Sequence, residues 1–444
     1  MSEWTLAVDG WIIAIAALTA IACAIPGAFL VVRRSAMLSD AISHAVLPGI
    51  AMGFLLSGTR DPLWMFLGAA VAGLVVALGS GALARLGRMD AGAAMGIVFT
   101  TMFAVGLILI VQVADKVDLD PSCVLYGSVE LAPLDTVTLA GLAIPRAALV
   151  LGGVCLANIL LAALLWKPIL VTAFDPALAR TLGLRPRVVE AVVLGMAAAT
   201  CVAAFESVGS ILVVAMMITP AAAARLFHDR FVGVIVGAMV IGIAASVLGH
   251  WLAASAAPML LPSGGDASTA GAVAAALGGV FVIALLAAPQ RGVVRRLVDR
   301  ARLSMRIARE DAVGLLWRLA EEDGRTVDAQ ELRDLLVTGA AVRPWIARIA
   351  LRGLVRDGAV ERGSGPMRLT DWGRLEGQAL VRSHRLWEIY LMRKMALAPD
   401  HVHPTAMRLE HFTDAAMRDE LAKEGDGHTP DGAPLADPHG RAVP

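Results

Sequence analysis

The sequence predicts an all-α polytopic membrane protein of about nine transmembrane helices, N-terminus out, followed by a cytoplasmic winged-helix and helical domain. Three observations predict it. Long apolar runs fill residues 11–288; Lys, Arg, Asp and Glu crowd the remainder; and past residue 310 the pattern becomes amphipathic helices with one turn-rich hairpin. Of 444 residues, 57% are hydrophobic and only 17% charged, against about 25% charged in soluble domains. Formal net charge is zero, so no global attraction to nucleic acid or acidic partners follows. Cys23, Cys123, Cys155 and Cys201 all precede residue 290 and show no CxxC spacing; the soluble part has none, which fits a reducing compartment. Met1–Gly10 carries two acidic residues and no base, so no cleavable signal is expected.

The expected spans are 11–32, 36–57, 63–86, 92–113, 145–166, 187–204, 207–227, 231–253 and 267–288, each near the ~20 residues needed to cross. The break around Phe205–Glu206 is short. Arg33–Arg34, Arg85/Arg88, Lys167 with Arg180/Arg185/Arg187, and Arg225/Arg230 occupy alternate loops, which should be cytoplasmic. An odd span count then places Arg291 and everything after it inside.

The second span reads SAMLSDAISHAVLPGIAMGFLLSG over 35–58. Helical spacing stacks Asp40 and His44 one turn apart, with Ser43 beside them. An ionisable residue in a span costs ~2.5–3.5 kcal/mol. The pair therefore either pins two helices together or lines a polar path, and carboxylate plus imidazole suits a divalent transition metal. The outward loop 114–144, with acidic Asp115–Asp120, reads either as a dock for an extracytoplasmic partner or as a re-entrant connector. Residues 174–184, FDPALARTLGL, read as a short helix: Asp175 caps it, Pro176 opens it, Ala179 and Leu182 lie within its reach and Gly183 ends it. Such a helix is either packing or a plug for a motor subunit. No GxxxxGK[ST] occurs, so any ATPase is a separate subunit. Glu206, near an outward mouth, reads as a cation collector or a solvated end; His250 reads as a hydrogen-bonded packing residue.

MLSDAISHAVLPGIA, YGSV at 126–129, FDPALARTLGL, ESVGSILVVAMMITPAAAA and LPSG at 261–264 occur in this order. Together they resemble the permease subunits of manganese/zinc/iron ABC importers, the ABC-3 group, over roughly residues 10–290. The resemblance implies an extracytoplasmic metal-binding protein, a separate ATP-binding subunit, and a second permease chain, copy or paralogue, around one path. It implies that Asp40 and His44, and more weakly Ser43 and Glu206, line that path for Mn, Fe or Zn. It also implies that Asp175–Leu184 couples to the ATPase. No tightly bound cofactor is expected in the membrane domain.

After the span, residues 291–309 are strongly basic and helical in pattern, a positive-inside anchor or an interfacial helix. Three amphipathic helices follow (310–323, 328–337 and 343–358), then the hairpin AVERGSGPMRLT, the winged-helix order. A long helix then carries His384 and Glu388 at i, i+4; the next segment supplies His401, His403, Met407, Glu410 and His411, with Met407, Glu410 and His411 on one side. Two His/Glu pairs favour a metal site over solvated charge.

SHRLWE, VHPTAMRLEHF and the wing resemble the diphtheria toxin repressor family of iron- and manganese-dependent repressors, over about 308–422. That resemblance implies one metal site from His384, Glu388 and His403, and another from Asp311, Met407, Glu410 and His411. Met407 replaces the usual thiolate or carboxylate, and Gly314 stands where manganese-selective members often carry Glu. The expected recognition helix opens with Pro344 and Trp345 where base-reading residues would stand, while Arg343, Arg348 and Arg352 can reach phosphate. The expected domains are a permease at 1–290, a basic linker at 291–309, a winged helix at 310–375, a helical metal-binding and dimerisation domain at 376–422 and a disordered tail at 423–444. The leading reading is an importer permease with a cytoplasmic metal-responsive regulatory domain. The alternative is a membrane-tethered or proteolytically released metal-dependent repressor. No nucleophile–base set supports an enzyme.

Overall fold

The computed structural model describes residues 8–58, 62–113, 127, 129–139, 141–256, 268–361, 365–424 and 443. Asp115–Asp120, Tyr126 and Ser128 of the YGSV segment, LPSG at 261–264, the side chain of Glu206 and tail residues 425–442 lie outside them. The chain divides into two compact units, Met1–Arg295 and Arg296–Pro444. Among the described residues, nine helical segments are long and apolar enough to cross a membrane.

In the first unit, α1 (Asp9–Val32), α2 (Met37–Ser57), α3 (Pro62–Leu86) and α4 (Ala91–Val113) lead into a connector. Then come α5 (Arg146–Leu164), α6 (Trp166–Phe174), α7 (Pro176–Thr181), α8 (Pro186–Phe227), α9 (Phe231–Trp251) and α10 (Thr269–Ala287). The spans are apolar on all sides, as expected where one face meets protein and the other meets lipid. The core is built from α1, α5, α8 and α10, where Ile15, Leu151, Leu212, Met216, Met217 and Leu277 are fully buried. Helices α2 and α3 approach backbone to backbone: a Cβ on Gly49 would lie 2.4 Å from Ala69 Cα. Buried Asn158 on α5 donates to the Ala22 carbonyl at 3.1 Å and to Thr200 Oγ1 at 2.8 Å, tying α5 to α1 and α8.

The two spans expected around Phe205–Glu206 form one 42-residue element broken at Gly209, with φ 76° and ψ 166°. A side chain there would cost ~1–3 kcal/mol, which is why the turn falls on the glycine and not at the charge. The connector presses on this break, since a Cβ on Gly127 would sit 2.4 Å from Val208 C and Gly209 N. Glu130 then accepts the Thr269 N–H at 2.6 Å at the start of α10. The connector also holds a hairpin that the sequence reading did not assign, β1 (Thr136–Leu139) against β2 (Leu142–Pro145), pairing Val137 with Ile144. Buried His250 reaches Asp9 Oδ1 through Nε2 at 3.0 Å and Thr269 Oγ1 through Nδ1 at 3.5 Å.

The soluble helices are α11 (Val293–Asp323), α12 (Ala329–Gly339), α13 (Pro344–Arg356), α14 (Asp371–Met395), α15 (Pro399–Leu409) and α16 (Ala415–Glu424). Asp328 caps α12 by accepting from Gln330 and Glu331 N–H, and Thr370 caps α14. Ala312, Leu332, Leu336, Ala347, Leu354 and Val360 pack the winged-helix core. The wing is present as antiparallel bridges Val360–Leu369 and Val327–Met367.

Candidate functional site

In the first unit, α2 brings His44 Nε2 to 3.5 Å from Asp40 Oδ1. Asp40 is exposed and His44 half-buried, its ring 5.0 Å from Phe99 and 5.8 Å from Phe103. Among the described residues, α4 covers part of His44 on this face, while Asp40 stays exposed. Ser43 does not join the pair: it is 1% exposed, donates to the Ser39 carbonyl at 2.9 Å and meets Cys201 Sγ on α8 at 3.8 Å.

Helix α7 is fixed locally. Asp175 Oδ1 accepts from the N–H groups of Ala177 and Leu178, both at 2.9 Å, and Gly183 ends the turn with φ 77°. Ala179 is fully buried and anchors the helix, while Leu178 and Leu182 are 48% and 61% exposed. Pro176 opens the first turn.

The second unit holds two ligand clusters. In the first, His384 Nε2 lies 3.0 Å from Glu388 Oε1 and 2.9 Å from His403 Nδ1, and that nitrogen lies 2.9 Å from the same Glu388 oxygen. Bonds of ~2.1 Å at right angles place neighbouring ligands about 3.0 Å apart, so this triangle matches one face of an octahedral ion. His384 and Glu388 are buried on α14; His403, on α15, is exposed. In the second cluster, His411 Nε2 is 3.2 Å from Asp311 Oδ1 and 3.9 Å from Glu410 Oε1. Asp311 comes from α11, and Glu410 and His411 from a 3-10 turn after α15. Met407 stands half-buried on α15, one turn before Glu410.

Glu310 is the residue that sequence reasoning missed: its Oε2 lies 2.7 Å from His411 Nδ1. Holding the proton there leaves Nε2 as the donor toward a cation, the role of a carboxylate behind a metal-binding histidine. The clusters meet at Glu410, whose Oε2 lies 2.6 Å from His384 Nδ1 and 3.5 Å from an Arg318 nitrogen. His384 Nδ1 and Glu410 Oε2 are buried, and their alignment makes no hydrogen bond. Buried polar atoms left without that satisfaction are costly; the ligand atoms of the two clusters, His384 Nε2 and Glu410 Oε1 among them, fit a divalent cation of the manganese, iron or zinc kind.

The electrostatics of the apo clusters follow from geometry. Burial pushes the Glu388 carboxyl up, but hydrogen bonds from His384 and His403, with their charges, outweigh it and hold it at about 2. Burial pushes His411 down, but Asp311 and Glu310, with the Glu410 charge, lift it to about 9. His384 is likewise raised: Glu388 and Glu410 outweigh its burial. His411 thus holds a proton near neutral pH that a cation at its Nε2 would have to displace.

Arg343, Arg348 and Arg352 are all exposed along α13, beside Trp345 and Ile349 at 51% and 46% exposure.

Residues 9–288 match the model of the ABC 3 transport family, and residues 370–444 match the iron dependent repressor, metal binding and dimerisation domain. The chain is 37% identical over 365 residues to the zinc transport system membrane protein TroD of Treponema pallidum (strain Nichols), covering 82% of this chain and 96% of that one. It is 38% identical over 289 residues to the manganese transport system membrane protein MntD of Bacillus subtilis (strain 168), covering 65% and 95%. Among solved structures it resembles PsaBC from Streptococcus pneumoniae in complex with Fab, at TM-score 0.52 and 28% identity over 64% of this chain and 92% of that one. On a family match that takes in all of α1–α10, the chain belongs to the ABC 3 transport family, with an iron-dependent-repressor module at its C-terminus.

Proposed function

We propose that this protein is the permease subunit of an ATP-driven importer of a divalent transition metal, manganese, iron or zinc, and that its cytoplasmic C-terminal unit senses the same class of ion. The observation that carries the reading is the pair of ligand clusters in one chain with a metal-transport permease. Asp40 and His44 serve as a transient site on the path. A carboxylate facing lipid would cost ~2.5–3.5 kcal/mol, so a second permease chain covers this face and completes the passage. Few ligands make a weak site, which conduction requires. The exposed leucines of α7 take up the motion of a separate ATP-binding subunit, and an extracytoplasmic metal-binding protein delivers the ion.

His384, Glu388 and His403 hold one regulatory ion, and Asp311, Glu410 and His411 the other, with Met407 as an added soft ligand. The bound ion supplies a positive centre that ties α11, α14 and α15 together; Glu310 holds the His411 tautomer. Filling of the clusters throttles uptake. Uptake by cells or proteoliposomes preloaded with manganese or zinc tests this. Wild type slows as the internal ion rises, while His384→Ala and His411→Ala keep full rate; equal inhibition in all three refutes the sensor. The exposed arginines of α13 support the repressor alternative. A metal-dependent shift of promoter DNA by the purified protein, lost in Arg348→Gln, would establish it.

A further inference from the structure

A cavity of about 570 Å3 opens in the second unit between α11, α14 and α16, within the range of roughly 300–1,000 Å3 of small-molecule sites. Arg302, Arg306 and Arg309 stand on one face of α11 at i, i+4 and i+7, and Arg418 comes from α16. Their partners are unequal. Arg309 pairs with Asp357, and Arg306 Nε meets Glu310 at 3.0 Å. Arg418 donates only to the Thr413 carbonyl at 3.1 Å, and Arg302 is exposed; among the described residues neither has a carboxylate partner. Two carboxylates on the wall are committed elsewhere: Glu310 holds His411, and Glu410 faces His384 and Arg318. The third, Glu376, is pushed up toward its neutral form by burial, against the pull of Arg309.

Guanidinium groups without a counter-charge around a concave space are built for a planar or tetrahedral oxyanion, which they grip with paired N–H donors. We propose that this cavity binds a small multivalent oxyanion, a phosphate or a polycarboxylate, between Arg302 and Arg418 with Arg306 on its floor. Glu410 and His411 line the same cavity. The anion therefore shares a wall with the second metal cluster, and its occupancy and that of the cation are coupled reciprocally. The anion site is independent of the metal-sensing reading, since the arginines require no cation.

The test is calorimetric titration of the metal-stripped, full-length protein in detergent with sodium phosphate and with sodium citrate, at constant ionic strength against chloride. Saturable binding is expected, weakened about tenfold or more in Arg302→Gln and in Arg418→Gln and unchanged in Arg333→Gln on α12, which pairs with Asp334. Phosphate alone assigns an inorganic ligand, citrate alone an organic one. Binding of neither, or wild-type binding by both cavity variants, overturns the proposal. If Arg418→Gln melts early, the exposed Arg302→Gln decides alone. Equal Mn2+ affinity with and without the bound anion overturns the coupling. Loss of metal response in His384→Ala with anion binding intact would separate the two sites.

Discussion

In the proposed sensor, His411 should make cation affinity steeply dependent on pH. Asp311 at 3.2 Å and Glu310 at 2.7 Å lift its imidazole to about 9. Its Nε2 must be proton-free to hold a cation, so below that pH the ion competes with a proton. At pH 7 the neutral form is about one part in a hundred, a cost of about 2.7 kcal/mol. The sign follows: with the pKa raised, affinity climbs tenfold per pH unit until the proton is gone near pH 9. Between pH 6 and pH 8 the apparent Mn2+ dissociation constant should fall about 100-fold, with about one proton released per ion at this cluster. Calorimetry in buffers of different ionisation enthalpy counts the protons. Glu310→Gln removes one support of the raised pKa, so the dependence should flatten. A change of less than about threefold over that range, or no proton release, refutes the reasoning.

Three further outcomes follow from the geometry. Asp40→Ala and His44→Ala should abolish uptake while leaving the melting temperature within a few degrees, because both side chains are at least partly exposed; a collapsed fold would make the pair structural. Gly209→Ala forces a side chain into φ 76° and ψ 166° and should cost about 1–3 kcal/mol, read as a lower melting temperature in detergent; wild-type stability would refute strain at the break. Leu178→Asp with Leu182→Asp should leave the permease folded but uncouple it from ATP hydrolysis, seen as lost transport with the co-purified ATPase still turning over; normal transport would clear α7 of that role.

Much of this architecture was legible because its signals are local. Hydropathy marks the spans, Asp175 and Gly183 bracket α7, and the i, i+4 spacing of His384 and Glu388 puts both on one face of α14. What was hidden is tertiary. Glu310 shows nothing in sequence except its place beside Asp311, and its role exists only because a 3-10 turn far along the chain carries His411 to it. Ser43 looked like a third member of the α2 pair, yet its position on the helix turns it inward onto Cys201. The α8 break was sought at the charge of Glu206, but backbone dihedrals, not hydropathy, place it at Gly209. The hairpin 136–145 was masked because four-residue strands in an apolar connector carry no helical or membrane-length period.

The basic segment after the last span is helical from Val293 and continues unbroken into Asp323. Proteases nick exposed, irregular chain; residues 293–323 are helix, and the irregular chain here is the turn at 289–291 just before it. Under the proposed function, the permease and the metal-binding module therefore come in fixed one-to-one number, because one chain carries both.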